Sequence, residues 1–323
     1  HRWNLYSAAH FESGSWVQAV KTDVGYATTT PAVLSSTNPS FPFIRILDYT
    51  IQPVKDCAGT RLNTIGVFAH ELGHGFGLPD LYGVESSQNG IGNWGLMGTG
   101  SCGCDGSSAQ RPCHMSAWSK AFLGWADIQT LPTGTDLGTL TLPPVETTGK
   151  IFRIDAEDGS GEYVLLENRQ RTGFDTNLHQ PGLLVWHIDP QYIADHWYRI
   201  NSDGEHHGVW LRQADGRNDR NRVGGGRGDS GDPYPGAFQR TNLHAATSPG
   251  SWSHDGTAMG ITLMNIQGVG SDMTFKLMTG FQPLTLRTQG APGDVGLVSV
   301  DGVTSQASQW IFPSAPFQSH IIE

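Results

Sequence analysis

The sequence predicts an α+β protein, and two observations support this prediction. Apolar residues recur at helical spacing in one segment, residues 65–76, and from about residue 128 short apolar runs alternate with turns rich in glycine, proline and aspartate. We therefore expect a helix-bearing part at residues 1–127 and an antiparallel β-rich region at residues 128–280 that continues the same unit. The remainder, residues 281–323, is left unassigned and could open a further module.

The N-terminal part contains one predicted strand and two predicted helices. Residues 43–51 are rich in β-branched and aromatic side chains, which predicts either an interior strand or an exposed edge able to bind a peptide by strand addition. The first helix should be capped by Asn63 or Thr64, and a second short helix, residues 116–122, should end at Gly124. The apolar face of the first helix, expected to pack into a core, consists of Ile65, Phe68, Ala69, Leu72 and Phe76.

The most informative motif reads HELGHGFGLPD and spans residues 70–80. On a helix, His70 and His74 lie one turn apart on the same face and can bind one metal ion, with Glu71 beside them. Gly77 can adopt the left-handed conformation that ends a helix, so that the chain folds back and brings Asp80 to the same ion. This pattern predicts a catalytic zinc site, in which three protein ligands leave one position for water.

Met97 lies in a second motif, NWGLMG, which predicts a tight apolar turn. By itself this methionine is consistent with simple core packing, the usual role of the residue. Further along, five apolar runs predict the strands of the second region: residues 150–155, 162–167, 182–188, 209–211 and 260–266.

Three segments together carry a family resemblance: HELGHGFGLPDLYG, GNWGLMGTG and HMSAWSKAFLGW. They resemble the immune inhibitor A family of secreted zinc endopeptidases, which are relatives of the metzincin peptidases. The resemblance covers most of residues 1–280 and implies a metzincin-like catalytic domain. In that comparison the zinc ligands are His70, His74 and Asp80. Glu71 corresponds to the general base, and Met97 corresponds to the methionine of the turn beneath the metal.

The same resemblance implies an extracellular protein. It also implies that further segments of the catalytic domain precede residue 1, so that the upper subdomain is truncated in this sequence. Metzincins usually carry a third histidine where this chain has Asp80, so its ligand set resembles the aspartate-bearing minority. Some relatives place a tyrosine two residues after the methionine to stabilise the oxyanion, where this chain has Thr99. Tyr82 and His114 are candidate substitutes, and a structural role is the simpler reading of each.

Four cysteines indicate two disulfides, because an even count is typical of secreted chains. A bond between Cys102 and Cys104 would be strained, so we expect Cys57 to pair with one cysteine of the 102–113 loop and the two remaining loop cysteines to pair with each other. The alternative is a second metal site formed by Cys102, Cys104, Cys113 and His114, although the spacing of the first pair fits a zinc knuckle poorly.

Composition excludes two classes of function. The chain has 30 acidic and 20 basic residues, and its net charge of −10 argues against a nucleic-acid partner. No run approaches the roughly 18 apolar residues of a transmembrane helix. In a glycine-rich stretch, four aspartates could bind Ca²⁺ or form a solvated loop, since they lack the spacing of a known calcium-binding loop: Asp215, Asp219, Asp229 and Asp232.

These features together predict a secreted zinc-dependent endopeptidase that hydrolyses peptide bonds in proteins or peptides. Zinc would polarise the scissile carbonyl and activate water, and Glu71 would take the proton of that water. The alternative from another class is a secreted binding or adhesion protein with a vestigial zinc peptidase domain, although a purely structural zinc would not require Glu71. A hydrolase of a non-peptide bond is a third reading.

Overall fold

The computed structural model describes residues 54, 55, 60, 62–84, 88–219 and 226–280, together with the strands of four short hairpins outside these ranges. Its helices, in chain order, are α1 (Ile65–Gly75), α2 (Ala117–Leu123), α3 (Val145–Thr148) and α4 (Pro190–Asp195). Its strands, in chain order, are β1 (Ala9–Glu12), β2 (Ser15–Gln18), β3 (Tyr26–Ala27), β4 (Arg45–Ile46), β5 (Asp127–Thr130), β6 (Asp136–Leu142), β7 (Lys150–Asp155), β8 (Tyr163–Arg169), β9 (Gly182–Ile188), β10 (Val209–Leu211), β11 (Ile261–Val269), β12 (Asp272–Thr279), β13 (Leu297–Val300), β14 (Val303–Gln306), β15 (Trp310–Ser314) and β16 (Gln318–Ile322).

Two sheets form the second region of the chain. The larger has the strand order β10-β9-β8-β7-β5, and the smaller has the order β11-β12-β6. All neighbouring strands are antiparallel except β5 and β7, which run parallel with Ile128 opposite Ile151. The prediction of an antiparallel region is wrong for this one pair, because β6 and α3 lie between its strands and return the chain to the same end of the sheet.

The larger sheet is buried on both faces at β8 and β9. Every residue of β9 is buried, and its alternate side chains enter two different hydrophobic clusters. Leu184 and Trp186 belong to the same cluster as Met97, whereas Leu183 and Val185 belong to the cluster that contains the buried residues of the smaller sheet. The first cluster therefore joins residues on both sides of position 127 in one core, and the domain boundary at that position stays a prediction.

The predicted strands agree well with the observed ones. Two predictions coincide with β7 and β9, a third coincides with β10, and those at residues 162–167 and 260–266 lie within one to three residues of the observed ends of β8 and β11. Of the predicted strand at residues 43–51, the structure describes only β4, which pairs with β3. The rest of this predicted strand lies outside the described residues, so its expected position along a cleft stays a prediction. No helix of the described chain is long and apolar enough to cross a membrane.

The first helix differs from its prediction in the face that it buries. Thr64 occupies the N-cap position, as expected, but Ile65, Phe68, Leu72 and Phe76 are between 42% and 53% exposed. The buried positions are Gly66, His70, Glu71 and Gly73. The expectation of an apolar face packed in a core is therefore wrong for four of its five residues; among the described residues, the helix packs instead through its glycines and its histidine face.

Candidate metal centre

Three side chains of the HELGHGFGLPD segment converge on one point. Nε2 of His70 lies 3.0 Å from Oδ1 of Asp80, and Nε2 of His74 lies 3.3 Å from the same oxygen. The ligand atoms of all three residues lie within 4.8 Å of one another. The predicted trio is thus brought together from α1 and from the segment that follows it.

Both imidazoles are anchored through their other nitrogen. Nδ1 of His70 donates to the carbonyl of Leu96 at 2.8 Å, and Nδ1 of His74 donates to the carbonyl of Leu78 at 2.7 Å. When Nδ1 carries the proton, Nε2 of each neutral ring presents a lone pair towards Asp80. This is the arrangement that metal-binding histidines usually show, with a backbone carbonyl fixing the tautomer and the ring orientation.

The reversal between the histidines and Asp80 depends on Gly77. Its φ of +95° is left-handed, and its amide donates to the carbonyl of His74 at 2.9 Å. The amide of Leu78 then donates to the carbonyl of Gly73 at 3.1 Å, which closes the end of α1. A residue with a Cβ would be strained at position 77. The turn predicted from the sequence is confirmed.

The methionine turn lies directly against α1. Met97 is fully buried, and a Cβ added to Gly73 would stand only 2.5 Å from its sulfur. A Cβ at Gly66 would similarly stand 1.9 Å from the carbonyl oxygen of Ser101. These two glycines allow the histidine face of α1 to approach the turn, whose Leu96 carbonyl anchors His70. Met97 therefore supports the helix that carries the histidines.

Glu71 is buried beside the histidines, with 7% of its surface exposed. Its negative charge helps to raise the pKa of both His74 and Tyr82, which places it within electrostatic reach of the converging side chains. A buried carboxylate next to a set of metal ligands matches the position that a general base requires. Its role stays a prediction and is taken up below.

The charge of Asp80 is stabilised by its two histidine partners. Burial would raise the pKa of the Asp80 carboxyl, but the doubly protonated forms of His70 and His74 donate hydrogen bonds to it from Nε2, and these bonds and the positive charges of the rings hold that pKa well below its usual range. Burial would lower the pKa of His74, but the hydrogen bonds to Asp80 and to the carbonyl of Leu78, together with the negative charges of Asp80 and Glu71, outweigh burial and raise that pKa. Asp80 is therefore an anion at neutral pH, as a metal ligand must be.

The structure separates the two candidate substitutes for an oxyanion-stabilising tyrosine. The ring of Tyr82 stacks on His70 with centroids 6.3 Å apart, and burial, followed by the charge and hydrogen bond of Asp80, raises its pKa. His114 lies instead beside buried charges, where burial and the cations Lys120 and Arg169 lower its pKa to about 4. Tyr82 is therefore adjacent to the ligand set, and His114 is not a member of it.

Sequence reasoning missed a buried network of charges behind the methionine turn. Arg169 pairs with Asp175 at 2.6 Å and donates to the carbonyl of Trp94 at 3.2 Å, while Lys120 of α2 pairs with Glu167 of β8. The available signal was the run Glu-Asn-Arg at the end of a strand that is otherwise apolar. Removing one member of such a network leaves an unpaired buried charge, which destabilises a protein strongly.

Glu146 belongs to the edge of this network and provides a test by pH. Burial, opposed chiefly by the charge of Arg169, raises its pKa to about 7. A carboxyl whose folded pKa exceeds its unfolded value adds stability that is present at low pH and lost as pH rises through about 7. Gln at this position cannot ionise, so Glu146→Gln should not lose this stability as pH rises. We therefore expect the free energy of unfolding of Glu146→Gln, relative to that of the parent, to increase by on the order of 2 kcal/mol from pH 5 to pH 8.

Urea unfolding at both pH values measures this difference. The control is Glu205→Gln, since Glu205 is exposed. Parallel pH dependence of the parent and Glu146→Gln would show that the Glu146 carboxyl is not perturbed.

One disulfide joins Cys104 to Cys113, with Cα atoms 4.9 Å apart. This confirms a disulfide within the 102–113 loop and makes the four-ligand zinc knuckle wrong, because two of its ligands are bonded to each other. Cys102 has no disulfide to a described residue, and Cys57 lies outside the described residues. Since Cys104 and Cys113 are bonded to each other, the predicted partner of Cys57 in the loop is Cys102.

We expect the purified chain to have no free thiol, because a Cys57–Cys102 bond would complete the second disulfide. Such a bond contributes roughly 2 to 4 kcal/mol. Alkylation of the denatured protein without reductant, followed by intact-mass measurement, counts the thiols. Two added labels, mapped to Cys57 and Cys102 by peptide analysis, would contradict the pairing.

The four aspartates of the glycine-rich stretch, considered above as possible calcium ligands, do not form one metal-binding group among the described residues. Among the described residues, the groups whose ligand atoms lie within 4.8 Å of one another include none of these four aspartates. Asp232 accepts instead from the indole nitrogen of Trp94 at 2.7 Å, and Asp229 Oδ1 accepts from the amide of Gly231 at 2.6 Å. Both carboxylates therefore have a structural role, as hydrogen-bond acceptors within the fold.

The segment that forms this centre is similar to a known family of peptidases. Residues 11–126 match the immune inhibitor A peptidase M6 catalytic domain. The match confirms the family resemblance predicted from the sequence, and the matched peptidase M6 segment contains His70, Glu71, His74, Asp80 and Met97.

A second comparison finds a short region of similarity to curated proteins. The pre-pro-metalloprotease PrtV of Vibrio cholerae serotype O1, strain M66-2, is 40% identical over 78 residues, and PrtV of strain ATCC 39315 shows the same identity over the same length. The similar region covers 24% of this chain and 8% of PrtV, so the chain spans only a small part of these relatives. Together the two comparisons support a metallopeptidase.

Proposed function

We propose that this chain is a zinc-dependent endopeptidase that acts on peptide bonds in proteins or peptides outside the cell. One observation carries the proposal: the Nε2 atoms of His70 and His74 converge on a single oxygen of Asp80, while both Nδ1 atoms are held by backbone carbonyls. Two imidazoles and one carboxylate are the ligand types of catalytic zinc sites, which use three protein ligands.

The proposed ligands fit zinc in chemistry as well as in position. A hard cation such as Ca²⁺ prefers oxygen ligands, whereas imidazole nitrogen favours zinc and other transition metals. When bound, a zinc ion would supply Lewis-acid activation of water and of the scissile carbonyl. Tyr82, whose ring stacks on His70 and whose pKa is raised by burial and by the nearby Asp80, would act as a positioning residue beside this carboxylate.

Glu71 has the remaining chemical task in this proposal. As a buried carboxylate beside His70, it would accept the proton of the attacking water and deliver it to the leaving amine. The alternative function, a binding or adhesion protein with a vestigial peptidase domain, has no use for a buried acid at this position. Retention of Glu71 together with an intact ligand set therefore favours catalysis.

Metal removal tests this proposal on the full chain. We expect hydrolysis of a denatured protein such as casein to be lost on dialysis against 1,10-phenanthroline and restored by Zn²⁺, because the proposed ligands hold the only metal that the reaction uses. Mass spectrometry of the fragments shows whether internal peptide bonds are cut. Undiminished cleavage in the metal-free protein would exclude a zinc peptidase, and zinc binding without any cleavage would favour the binding protein.

A further inference from the structure

A second group of metal-ligand side chains lies among the loops of the β-rich region. We call it the His254 cluster; it consists of two groups that share His254, namely Glu162, His187 and His254, and Asp189, His206 and His254. It shares no residue with the candidate metal centre. Glu162 precedes β8, and His187 and Asp189 lie at the end of β9, where Asp189 caps α4, so two neighbouring strands of the larger sheet supply the cluster together with two loops.

Nδ1 of His254 is the atom around which the cluster is built. It lies 3.1 Å from Oε2 of Glu162 and 3.9 Å from Oδ2 of Asp189. Nε2 of His206 lies 2.8 Å from the same oxygen of Asp189. Asp189 can present this oxygen because its other one, Oδ1, accepts the amide of Tyr192 at the N-cap of α4. The pattern repeats that of the first centre, with imidazole nitrogens directed at carboxylate oxygens.

His187 has a different role in the cluster. Arg212 donates from Nη2 to Nδ1 of His187 at 2.8 Å, and a guanidinium can only donate. The proton of the neutral His187 ring must therefore be on Nε2, which donates to Glu162. His187 cannot offer that nitrogen to a metal, but its hydrogen bond orients the carboxylate of Glu162, as residues behind metal ligands commonly do.

His254 is not constrained in this way. Its side chain is 6% exposed, and its Nε2 is buried without a hydrogen-bond partner among the described residues. The proton can therefore move to Nε2 and leave a lone pair on Nδ1. His206, whose side chain is 32% exposed, provides the solvent-facing side through which an ion can enter.

The charges of the cluster also favour a cation. Glu162 and Asp189 are both buried, at 5% and 7% exposure, and among the described residues Arg212 is the cation bonded to the cluster, through Nδ1 of His187. Two buried carboxylates and one guanidinium leave one uncompensated negative charge, which is costly in an interior unless a proton or a cation neutralises it.

We propose that Glu162, Asp189, His206 and His254 bind a second divalent transition-metal ion, most suitably Zn²⁺. Two imidazoles and two carboxylates are a zinc ligand set, and four protein ligands make a structural site without an open position for substrate. The rings of His206 and His254 stack with centroids 3.9 Å apart and planes 10° apart. Binding requires these rings to tilt so that both nitrogens meet one ion, and the exposure of His206 leaves space for that movement.

Zinc stoichiometry of four forms of the full chain tests the proposal. Each form is loaded with Zn²⁺, desalted and measured by inductively coupled plasma mass spectrometry. We expect about two ions in the parent, about one in His70→Gln/His74→Gln, about one in Asp189→Asn/His206→Gln, and none when the two pairs are combined. Asn can still cap α4, so the second pair removes ligands while the fold is kept.

His196→Gln is the matched control. His196 stacks on Tyr192, at the other end of the same column of rings, but it belongs to neither group of metal ligands. We expect it to keep both ions, and we expect Asp189→Asn/His206→Gln to weaken the second ion by more than about 100-fold in competition with a chelator. Cobalt(II) should give tetrahedral d–d absorption in His70→Gln/His74→Gln.

The outcomes separate this proposal from the proposed function. Absence of zinc and of the cobalt spectrum from a folded His70→Gln/His74→Gln protein would overturn the second site and leave the first intact. One ion in the parent that disappears in Asp189→Asn/His206→Gln would support the second site while removing the first. An ion retained when both pairs are combined would show that the His254 cluster is not its location.

Discussion

Glu71→Gln is expected to keep its zinc and to lose peptide hydrolysis, with kcat falling by about 10² to 10⁴-fold. The amide has nearly the shape of the carboxylate, so the packing around position 71, which is 7% exposed, should persist. His70, His74 and Asp80 remain, so metal binding should persist as well. Only the capacity to accept a proton from water is removed.

Two measurements on the same preparation check this expectation. Zinc content by mass spectrometry should equal that of the parent, and cleavage of a fluorogenic peptide should fall. Glu85→Gln is the control, because it makes the same change at the next glutamate along the chain. Near-parental turnover in Glu71→Gln would remove the general-base assignment, whereas loss of zinc would show that Glu71 holds the ligands in place.

Asp80→Ala should lose most of its affinity for zinc at the candidate centre, by more than about 100-fold. Oδ1 of Asp80 is the atom on which both imidazoles converge, at 3.0 Å and 3.3 Å. Without it the two histidines retain their carbonyl partners but lack the third ligand and its negative charge. Peptidase activity should fall with the metal, since the proposed reaction requires a bound zinc ion.

Competition with a chromophoric chelator measures this affinity in Asp80→Ala, in the isosteric Asp80→Asn, and in Glu85→Ala. Other His-Glu-x-x-His peptidases take a third ligand from a downstream glutamate, and Glu85 is the nearest in this sequence. Parental affinity in Asp80→Ala together with weak binding in Glu85→Ala would reverse the ligand assignment. Circular dichroism of each variant separates loss of a ligand from loss of the fold.

The sequence alone was enough to predict the local features of the site. A spacing of four between His70 and His74 places both on one face of any helix, and Gly77 permits a reversal that few other residues tolerate. The observed φ of +95° and the convergence on Asp80 follow from these local rules. Most strands of the larger sheet were also predicted, because their apolar runs and turns are short-range signals.

Contacts between segments that are distant in the chain could not be predicted from local sequence patterns. The direction in which α1 faces was mispredicted because an apolar stripe usually marks the buried side, whereas here Gly66 and Gly73 set the close approach to the methionine turn. The parallel pairing of β5 with β7 likewise depends on how the intervening β6 and α3 return the chain.

The His254 cluster shows the same limit most clearly. Glu162 and His254 are 92 positions apart, and neither belongs to a spaced motif, yet their side chains meet at 3.1 Å. Local residue type and spacing determined the helix and the reversal, and they predict the ligands of the first centre. Tertiary structure alone decided which buried carboxylates and imidazoles face one another, because that depends on strand order and loop path and not on neighbouring residues.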